Sequence, residues 1–555
     1  MALGFPGLGR WAAGMAAALL AVAAIPYAVV RSAARLEPAS LRYVSGPEPE
    51  TLDPAQATAV LEVRLLAALF EGLFRLDPAT LAPVPAAARS FEVEPDARRY
   101  VFRLREGLSW SDGSELVAED FLFAWRRAAE PATGAPLAAE AAAVAAAARA
   151  PDRHTIEIAL PTPRPELPAL LTLPCFLPVP RTAIARHGEG WTRPGHMVSN
   201  GPFRLERWDP GRGLRLVRNP YYHSPARLES IDALTIAAAA LGEATALRLY
   251  EAGEVDLVFG VPDGALPRLR GRPDLEEGPG LGTVLLRMNL ERPALGAAGL
   301  PRPTPFADAR VRLALALAIE REALVKSVLR GAGSPAATLV PEGLAGYRSP
   351  PPPGGGLERA RALLAEARAA GALVGPLAFE LLFAASDEAA RHGAEVLAAH
   401  WGQALGARVR LRPMERKAYF RTMRRRDYDM AWGSWIADYP DPENFLGIFR
   451  AHSGNNRTGF ADARFEELLE RARAAAQSAE RLHWLAQAEA RLLSLAPCAP
   501  LYRTHRVWLR RPGLEGLVAN PLHLVDWHRV HWAVGARGEP PRGGTAHQAA
   551  AGERP

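Results

Sequence analysis

The sequence predicts an α/β protein that divides into more than one lobe. Segments in which apolar residues recur every three or four positions alternate with short segments rich in β-branched and aromatic residues, and no internal repeat is present. At 555 residues the chain is too long to fold around a single hydrophobic core. Its composition, 49% hydrophobic and 23% charged residues, is that of an ordinary globular protein.

The first third of the chain begins with a short β-prone segment, followed by a helix in which leucines recur at every fourth position from 61 to 73. Further on, Gly113 and Gly201 are expected to take positive φ in turns, and Asp112 to bond the backbone of its own turn. The predicted elements are a strand over 42–45, a helix over 60–74, a strand over 100–104 and helices over 120–129 and 137–148.

In the second half of the chain, predicted helices and strands continue to alternate. Asp308, Arg310 and Arg312 are expected to cap and brace the start of a helix. Prolines and glycines over 349–356 predict a surface connector, and the chain from Gly538 onward is expected to be a disordered tail. The predicted helices cover 310–329, 357–369, 388–405 and 464–495, and strands are predicted over 377–383, 409–411 and 430–437.

Residues 1–34 have the pattern of a targeting segment, so the protein is expected to be exported. Arg10 supplies a short positive region, and Trp11 to Val30 is an uncharged run rich in Ala, Leu and Val. The small residues at 32–34 favour cleavage of a signal peptide, but the run is also just long enough to remain as a membrane anchor. A cysteine for lipid anchoring is absent nearby. The sequence therefore predicts a soluble or membrane-tethered periplasmic protein.

Composition and motifs exclude several functional classes. The 66 basic residues are spread over the whole chain, and only Lys326 and Lys417 are lysines, so nucleic-acid binding is not indicated. Two cysteines, Cys175 and Cys498, are too few for a structural zinc site; buried free thiols are expected, although a single bridge stays possible. Without an HExxH, GxSxG or similar pattern, no metal, cofactor or enzymatic activity is predicted.

The segment from Tyr428 to Phe445 is the most informative one, because it places a carboxylate at the end of an uncharged strand. Met430 to Ala437 is rich in aromatic and small residues, and a strand of this kind can pair with an extended peptide. Asp438 would then lie where the incoming chain presents its ammonium group, with which it would form a charge-assisted hydrogen bond. The alternative is that Asp438 opens a turn, since the residues after it are rich in turn formers.

Short motifs in one fixed order carry a resemblance over most of the chain. They are LDP at 52–54, LFEGL at 69–73, LREGLSWSDG at 104–113, AEDF at 118–121, NGPF at 200–203, NPYY at 219–222, GEVD at 253–256, RVR at 310–312, AIER at 318–321, ADYPDP at 437–442 and NNRTGF at 455–460. In this order they resemble the extracytoplasmic oligopeptide- and dipeptide-binding proteins that serve ABC importers, known as family 5 of the solute-binding proteins.

That resemblance implies a bilobed periplasmic-binding-protein type II fold with an extra inserted domain. On this basis lobe I is expected over 38–58, 190–285 and 505–537, the inserted domain over 59–189 and lobe II over 286–504. The lobes are expected to close over the ligand by hinge bending.

The implied function is the capture of oligopeptides and their delivery to the permease and ATPase subunits of an importer. A monomer is expected, with no cofactor and no catalysis. The alternatives are a sensor or chaperone-like peptide binder that is not coupled to transport, or a binder of a non-peptide solute such as a metal chelate.

The resemblance also implies a set of binding residues. Asp438 is expected to hold the ligand's ammonium group, and the ligand's backbone to lie between strands of the two lobes, over Gly46–Thr51 and over Gly433–Ile436 with Ser434 between them. Trp435 is expected as a pocket wall, although a core position is as well supported, and the same holds for Tyr502. Glu48 aligns near an acidic residue at the ligand's N-terminus, but a role as a loop glutamate is favoured.

Where the family has an arginine for the peptide's carboxylate, this chain has Trp432. The carboxylate partner is therefore left open among Arg287, Arg416 and Arg424. The loop over 455–458 either reaches the ligand or, as the sequence favours, braces the fold.

Overall fold

The computed structural model describes residues 40–236, 239–291, 294–295, 301–302, 304–329, 333–475 and 477–534. The predicted targeting segment over 1–34 and the predicted tail over 538–555 lie outside these residues. Within them, strands and helices alternate along the chain as predicted, which confirms the α/β class.

The largest sheet contains eleven strands, in the order β17-β16-β18-β12-β19-β11-β1-β10-β9-β8, with β15 paired to β19. Its members are β1 (Ser40–Gly46), β8 (Phe203–Asp209), β9 (Gly213–Arg218), β10 (Ser230–Thr235), β11 (Leu257–Phe259), β12 (Leu275–Met288), β15 (Ser334–Pro335), β16 (Ala378–Ala384), β17 (Arg408–Met414), β18 (Met430–Ile436) and β19 (Cys498–Arg510).

Smaller sheets complete the strand inventory of the described residues. A separate four-stranded sheet has the order β4-β5-β7-β6, and three strand pairs stand alone. These strands are β2 (Phe74–Leu76), β3 (Pro83–Pro85), β4 (Ala88–Val93), β5 (Arg99–Leu104), β6 (Ala148–Asp152), β7 (Thr155–Ala159), β13 (Ala294–Leu295), β14 (Pro301–Arg302), β20 (Leu514–Glu515) and β21 (His531–Trp532).

Fifteen α-helices are present in the described residues. They are α1 (Val60–Leu69), α2 (Ala118–Ala129), α3 (Ala138–Ala147), α4 (Leu167–Leu170), α5 (Arg181–His187), α6 (Ala239–Glu251), α7 (Leu266–Leu269), α8 (Ala309–Leu317), α9 (Arg321–Val328), α10 (Gly356–Ala369), α11 (Glu388–Leu405), α12 (Arg416–Arg424), α13 (Pro442–Leu446), α14 (Ala463–Ala474) and α15 (Ser478–Leu495).

Three predicted helices differ from the structure. The helix predicted over 60–74 ends at Leu69, because Phe70 is extended and the chain then enters β2. The helix predicted over 310–329 is α8 followed by α9, with a non-helical Glu320 between them. The helix predicted over 464–495 is likewise two helices, α14 and α15, since Ala475 leaves the helical conformation. Apolar periodicity continues across such breaks, so it does not reveal them.

The long strands β12 and β19 hold the large sheet together. They pair antiparallel from Leu275–Leu509 to Arg287–Cys498, but the ladder is interrupted between Pro279 and Thr283. Gly280 lies in the interruption, where a Cβ atom would overlap Thr504, so only glycine allows this approach of the two strands.

The four-stranded sheet packs with α2 and α3 in a hydrophobic cluster that continues to Leu41 and Tyr43 of β1 in the large sheet. Tyr100 and Phe102 of β5 stack on one another, and Phe121 and Trp125 of α2 are fully buried in the same hydrophobic cluster. In the described residues, no helix is both long and apolar enough to cross a membrane.

Candidate functional site

Strand β18 has a strand neighbour along only part of one edge. On one side β12 pairs with its full length, from Met430 to Ile436. On the other side β16 reaches only Met430 and Ala431, and no further strand of the described residues continues that ladder. Ser434 and Ile436, beyond the end of the pairing, are exposed. The Trp432 and Ser434 carbonyls on this edge already accept hydrogen bonds from Tyr419 and Arg287, so an additional extended chain would pair with the backbone groups that remain.

Asp438 lies two residues beyond the end of β18 and is exposed. Its only hydrogen-bond partners in the described chain belong to Asn444, whose Oδ1 accepts from the Asp438 amide at 3.2 Å and whose Nδ2 donates to Asp438 Oδ2 at 3.5 Å. No cation among the described residues lies within ion-pair distance of it. Although water reaches the residue, the surrounding protein partly desolvates the carboxylate and raises its pKa.

Asn444 also fixes the orientation of Trp435. The indole Nε1 donates to Asn444 Oδ1 at 3.0 Å, so one amide of α13 holds both the aromatic ring and the carboxylate. Trp432 lies on the opposite face of β18, as its three-residue spacing predicts, and is buried with Tyr502 at a ring distance of 6.2 Å. Trp435 is half-buried and packs against the hydrophobic cluster that contains Phe445, whereas Trp432 and Tyr502 belong to the core.

Two further acids follow Asp438 within five residues, and both are neutralised. Arg481 donates to Asp441 through two nitrogens, at 2.8 and 2.9 Å, and to Glu443 at 3.1 Å. Arg473 donates to the other Glu443 oxygen at 2.6 Å. Burial alone would raise the pKa of Glu443, but the arginines outweigh it and the pKa is lowered. Asp441 also accepts from the Glu443 amide at 2.8 Å and caps α13.

The other end of β18 carries a buried arginine. Arg287 of β12 is 7% exposed, and its guanidinium passes over Gly433, where a Cβ atom would lie 2.6 Å from Nη1. Its Nη2 donates to the Ser434 carbonyl at 3.2 Å. Tyr419 of α12 lies beside it and donates to the Trp432 carbonyl at 2.6 Å. Gly433 thus provides the space in which an arginine and a tyrosine reach the strand.

Three more arginines influence, or take part in, the pKa shifts of groups near Arg287. Burial raises the pKa of Tyr419, and the nearby charges of Arg287 and Arg416 oppose that rise. Desolvation lowers the pKa of Arg457, and repulsion from Arg287 and Arg424 lowers it further. Arg287 and Arg416 thus act on Tyr419, and Arg287 and Arg424 act on Arg457, a residue that sequence reasoning did not select.

Acidic groups near these arginines are already engaged elsewhere. Asp387 faces Tyr419 but caps α11 by accepting from the Ala390 amide at 2.8 Å. Glu291 forms an ion pair with Arg426. In the described part of the chain no carboxylate lies within 4.0 Å of Arg287, Arg416, Arg424 or Arg457. None of these four arginines therefore has a direct ion-pair partner among the described residues, and the Arg416 guanidinium lies over the Phe420 ring at 5.4 Å from its centroid.

The segment predicted as the second ligand strand is not a strand. Strand β1 ends at Gly46, and the chain over 47–51 forms no ladder, because Pro47 and Pro49 lack the amide hydrogens that a ladder requires. Glu48 accepts hydrogen bonds from Trp208 Nε1 at 2.5 Å and from the Gly211 amide at 2.9 Å. Both carboxylate oxygens are thus used to hold the turn between β8 and β9.

A cavity of about 180 Å³ lies beside this segment. Ser45, Gly46 and Pro47 line it together with Glu243 of α6 and Phe259 of β11. It faces the ends of two parallel strands, β1 and β11, where ligands commonly bind in α/β sheets.

Several motif residues have structural roles. Gly113 has a φ of +84° and Asp112 accepts from the Ser114 amide, as predicted. The prediction for Gly201 is wrong in its reason: its φ is not positive, and glycine is required because a Cβ atom would lie 2.5 Å from the Leu69 carbonyl carbon. Asp308 caps α8 by accepting from the Arg310 amide at 2.8 Å, as predicted.

The loop over 455–458 braces the fold through one side chain. Asn456 is buried and donates to the carbonyls of Phe449, Arg450 and Phe460. This agrees with the role that the sequence favoured.

Cys175 and Cys498 are both buried free thiols, and burial raises the pKa of each to about 12. A group of three or more His, Cys, Asp or Glu side chains suited to a metal ion is not found in the described residues.

Comparisons with known proteins agree with these features. The family described as "Bacterial extracellular solute-binding proteins, family 5 Middle" matches residues 82–457. The "Probable deoxycholate-binding periplasmic protein YgiS" of Escherichia coli is 33% identical over 508 residues, covering 87% of this chain and 90% of that protein. The "Periplasmic oligopeptide-binding protein OppA" of Salmonella typhimurium is 30% identical over 533 residues, covering 91% and 94%. The structure of the Escherichia coli murein tripeptide binding protein MppA is similar with a TM-score of 0.75 and 28% identity, covering 89% of this chain and 98% of that chain.

Proposed function

Because the chain belongs to family 5 of the bacterial extracellular solute-binding proteins, we propose that it captures oligopeptides outside the cytoplasm and delivers them to an ABC importer. Its fold is the bilobed periplasmic-binding-protein type II fold of that family, with an additional inserted domain. Similar proteins are named for the binding of oligopeptides and of a murein tripeptide, which supports a peptide as the ligand.

The proposed boundaries place lobe I at 38–58, 190–285 and 505–537, the inserted domain at 59–189 and lobe II at 286–504. The interruption of the β12–β19 ladder supports a hinge there, because both strands cross from one proposed lobe to the other near Gly280 and Thr504. Rotation about a glycine is sterically less restricted than about any other residue. Closure over the ligand would exclude water from the site.

The observation that carries the proposal is the carboxylate of Asp438, which lies just beyond the end of β18 and has no cation within ion-pair distance among the described residues. A peptide's α-ammonium group supplies the missing charge, and its backbone can extend the sheet along Ser434 and Ile436. Trp435 then forms one wall of a side-chain pocket, since its indole is fixed by Asn444.

Two of the predicted binding residues, Tyr502 and Glu48, make contacts within the fold. Tyr502 is buried against Trp432, and Glu48 is engaged by Trp208 and Gly211, which supports structural roles for both. Affinity for peptides of varied sequence then depends mainly on the ligand's backbone and termini, because these are the parts that all peptides share.

As a solute-binding protein, the chain is proposed to act without changing its ligand chemically, as a monomer that contacts the permease of the importer. Its proposed location is the periplasm, after export directed by residues 1–34. Intact-mass measurement of the exported protein tests this part: loss of the first 34 residues supports cleavage, and retention of Met1 indicates an anchored protein.

A second candidate is a non-peptide anion, since a relative at 33% identity is named for deoxycholate. The two candidates make opposite demands on Asp438. A peptide ammonium requires the carboxylate, whereas a bile acid has no positive group and is repelled by it.

Two measurements test the proposal. Mass spectrometry of the ligand released by denaturing the purified protein identifies the chemical class directly. Calorimetry of wild type and Asp438→Asn with a peptide library and with deoxycholate then assigns the role of the acid. Peptide binding that falls in the variant supports the proposal; deoxycholate binding that is unchanged or improved in the variant, with no peptide bound by the wild type, overturns it.

A further inference from the structure

Arg64 of α1 is a buried arginine without a hydrogen-bond acceptor. It is 6% exposed, and its buried Nε has no partner among the described residues. Other buried arginines are satisfied by the chain: Arg481 binds two carboxylates, and Arg312 donates to three backbone carbonyls. A guanidinium has five N–H donors, and leaving buried donors without an acceptor is costly. The environment of Arg64 therefore lacks an acceptor.

Two more unsatisfied nitrogens lie around the ring of Phe259, over which Arg64 is stacked. The Arg64 guanidinium carbon is 3.5 Å from the centre of this ring. The rings of Trp508 and His523 contact the same phenylalanine at 5.2 and 5.4 Å, and each other at 5.5 Å. Trp508 Nε1 and His523 Nε2 are buried, and neither has a hydrogen-bond partner in the described chain. Phe259 thus brings together three side chains with unsatisfied nitrogens.

Arg506 adds a second positive charge to this group. It precedes Trp508 by two positions on β19 and so lies on the same face of the strand. Its Nε donates to the carbonyl of Pro521, two residues before His523, at 3.1 Å, whereas its buried Nη2 has no partner in the described chain. The two arginines are therefore held in one place by the strand, the loop and the Phe259 ring.

The charge of these two arginines is not neutralised by the chain. No carboxylate of the described residues lies within 4.0 Å of Arg64 or Arg506. Burial and the charge of Arg506 lower the pKa of Arg64 to about 10, so Arg64 stays charged at neutral pH. Burial and both arginines lower the pKa of His523 to about 2, so its ring is neutral. Buried charges are normally paired, because an unpaired one is strongly destabilising.

The chemistry of the group fits a small anion. Guanidinium and indole nitrogens only donate hydrogen bonds, and a neutral imidazole donates through one of its nitrogens. Trp508 is 1% exposed and His523 is 6% exposed, so both are too deeply buried to receive a peptide chain. Phe259 also lines the cavity of about 180 Å³, which brings the group next to a space that small ions can enter.

We propose that Arg64, Arg506, Trp508 and His523 form a buried binding site for a small inorganic anion such as chloride. Within the proposed boundaries, Arg64 belongs to the inserted domain and the other three residues to lobe I. The bound ion would therefore join these two parts and stabilise the folded chain. This site does not depend on the identity of the transported ligand.

Urea denaturation of the full chain in chloride and in gluconate, at equal ionic strength, tests the site. Gluconate is the reference because it is too large for a buried site of this kind. An ion that binds only the folded protein should raise the folding equilibrium constant about elevenfold at ten times its dissociation constant, and the effect should then follow a single-site curve. Equal stability in the two salts at every concentration would refute the site.

Variants assign the chloride effect to these residues. Arg64→Met removes the charge but retains an apolar side chain over Phe259, and it is expected to abolish the effect. Arg506→Gln should weaken chloride binding about tenfold, because one charge-assisted donor group is lost. Arg204→Gln is the control, since it removes an equal charge from an exposed position of β8 and should retain the full effect. A chloride effect of wild-type size in both Arg64→Met and Arg506→Gln would overturn the proposal.

A second measurement does not involve unfolding. Crystals grown in bromide should show an anomalous scattering peak within hydrogen-bond distance of Arg64 and of Trp508 Nε1. The peak should be absent in Arg64→Met, and Arg506→Gln provides the same comparison if Arg64→Met does not fold. A wild-type crystal without this peak refutes the site, whatever the outcome for peptide binding. Displacement of the bromide by a bound peptide would assign the site to the transported ligand and overturn its assignment to a free ion.

Discussion

Asp438 and the pair Asp441 and Glu443 lie within one short segment, but the protein treats them in opposite ways. Asp441 and Glu443, each 6% exposed, receive hydrogen bonds from Arg481, which is itself 5% exposed. Asp438 is exposed and, among the described residues, is hydrogen-bonded only to the neutral amide of Asn444. Sequence position alone does not distinguish these acids, because all three lie in the same proline-rich stretch.

The difference shows how structural and ligand-binding charges can be told apart. An acid that stabilises the fold must be neutralised by the chain, since a buried unpaired charge is costly. An acid that binds a cationic ligand must be left without a partner until the ligand arrives.

The largest expected effect is on stability, when the neutralised acids lose their cation. Arg481→Met should lower the free energy of unfolding by about 3–5 kcal/mol, because Asp441 is left buried without a counter-charge. Asp438→Asn is the control and should change it by less than about 0.5 kcal/mol. Chemical denaturation of both variants without ligand measures this. A small loss in Arg481→Met would contradict the distinction drawn here.

The second largest effect is expected on ligand binding, when Asp438 loses its charge. Asp438→Asn retains the shape of the side chain but removes its charge, so peptide affinity should fall by about a hundredfold. N-acetylation of the peptide should weaken binding to wild type similarly and cause little further loss in the variant. Calorimetry of the four combinations measures the coupling. Additive losses would show that Asp438 is a turn residue and that the ammonium group is bound elsewhere.

A smaller effect is expected from pH. Desolvation raises the pKa of Asp438 above its usual value of 3.8, so in the ligand-free protein the carboxylate takes up a proton earlier on acidification. A protonated acid does not pair with an ammonium group, which itself stays charged below a pKa of about 7.7. Peptide affinity should therefore be constant near neutral pH and fall as the pH is lowered through the raised pKa. Titrations at several pH values should show this acid limb in wild type and not in Asp438→Asn.

The smallest effect concerns Glu48, the acid that the family alignment places near the ligand's N-terminus. Since its oxygens bind Trp208 and Gly211, Glu48→Gln should lower the free energy of unfolding by about 1 kcal/mol and leave peptide affinity within about twofold. Thermal denaturation and calorimetry measure the two quantities. A tenfold loss of affinity with unchanged stability would assign Glu48 to the ligand site instead.

The sequence predicted the α/β class and the strand β18, because these depend on local composition. It did not predict Asn444 as the residue that orients both Asp438 and Trp435, since an amide six positions away has no recognisable spacing. Arg457 was missed because the effect of Arg287 and Arg424 on it arises only through tertiary packing of its loop.

Most of the contacts that the sequence did not predict join residues that are far apart along the chain. Arg287 meets Ser434 although 147 positions separate them, and only the register of β12 against β18 determines this. The error at Gly201 has a similar cause, since its neighbour is the backbone at Leu69 and no local signal reveals a close approach of distant segments. Local sequence patterns thus predict individual helices and strands. Contacts between distant helices and strands become visible only in the three-dimensional structure.

The low reactivity of the two native thiols makes it practical to measure the proposed hinge motion with fluorescent labels. Cys175 and Cys498 are buried, and with a pKa of about 12 each they remain protonated and unreactive toward maleimide near neutral pH. A pair of cysteines introduced at exposed positions on either side of the Gly280 interruption would then be the principal sites that take up fluorophores, without removal of the native ones. Energy transfer between such labels would test the proposed opening and closing in single molecules.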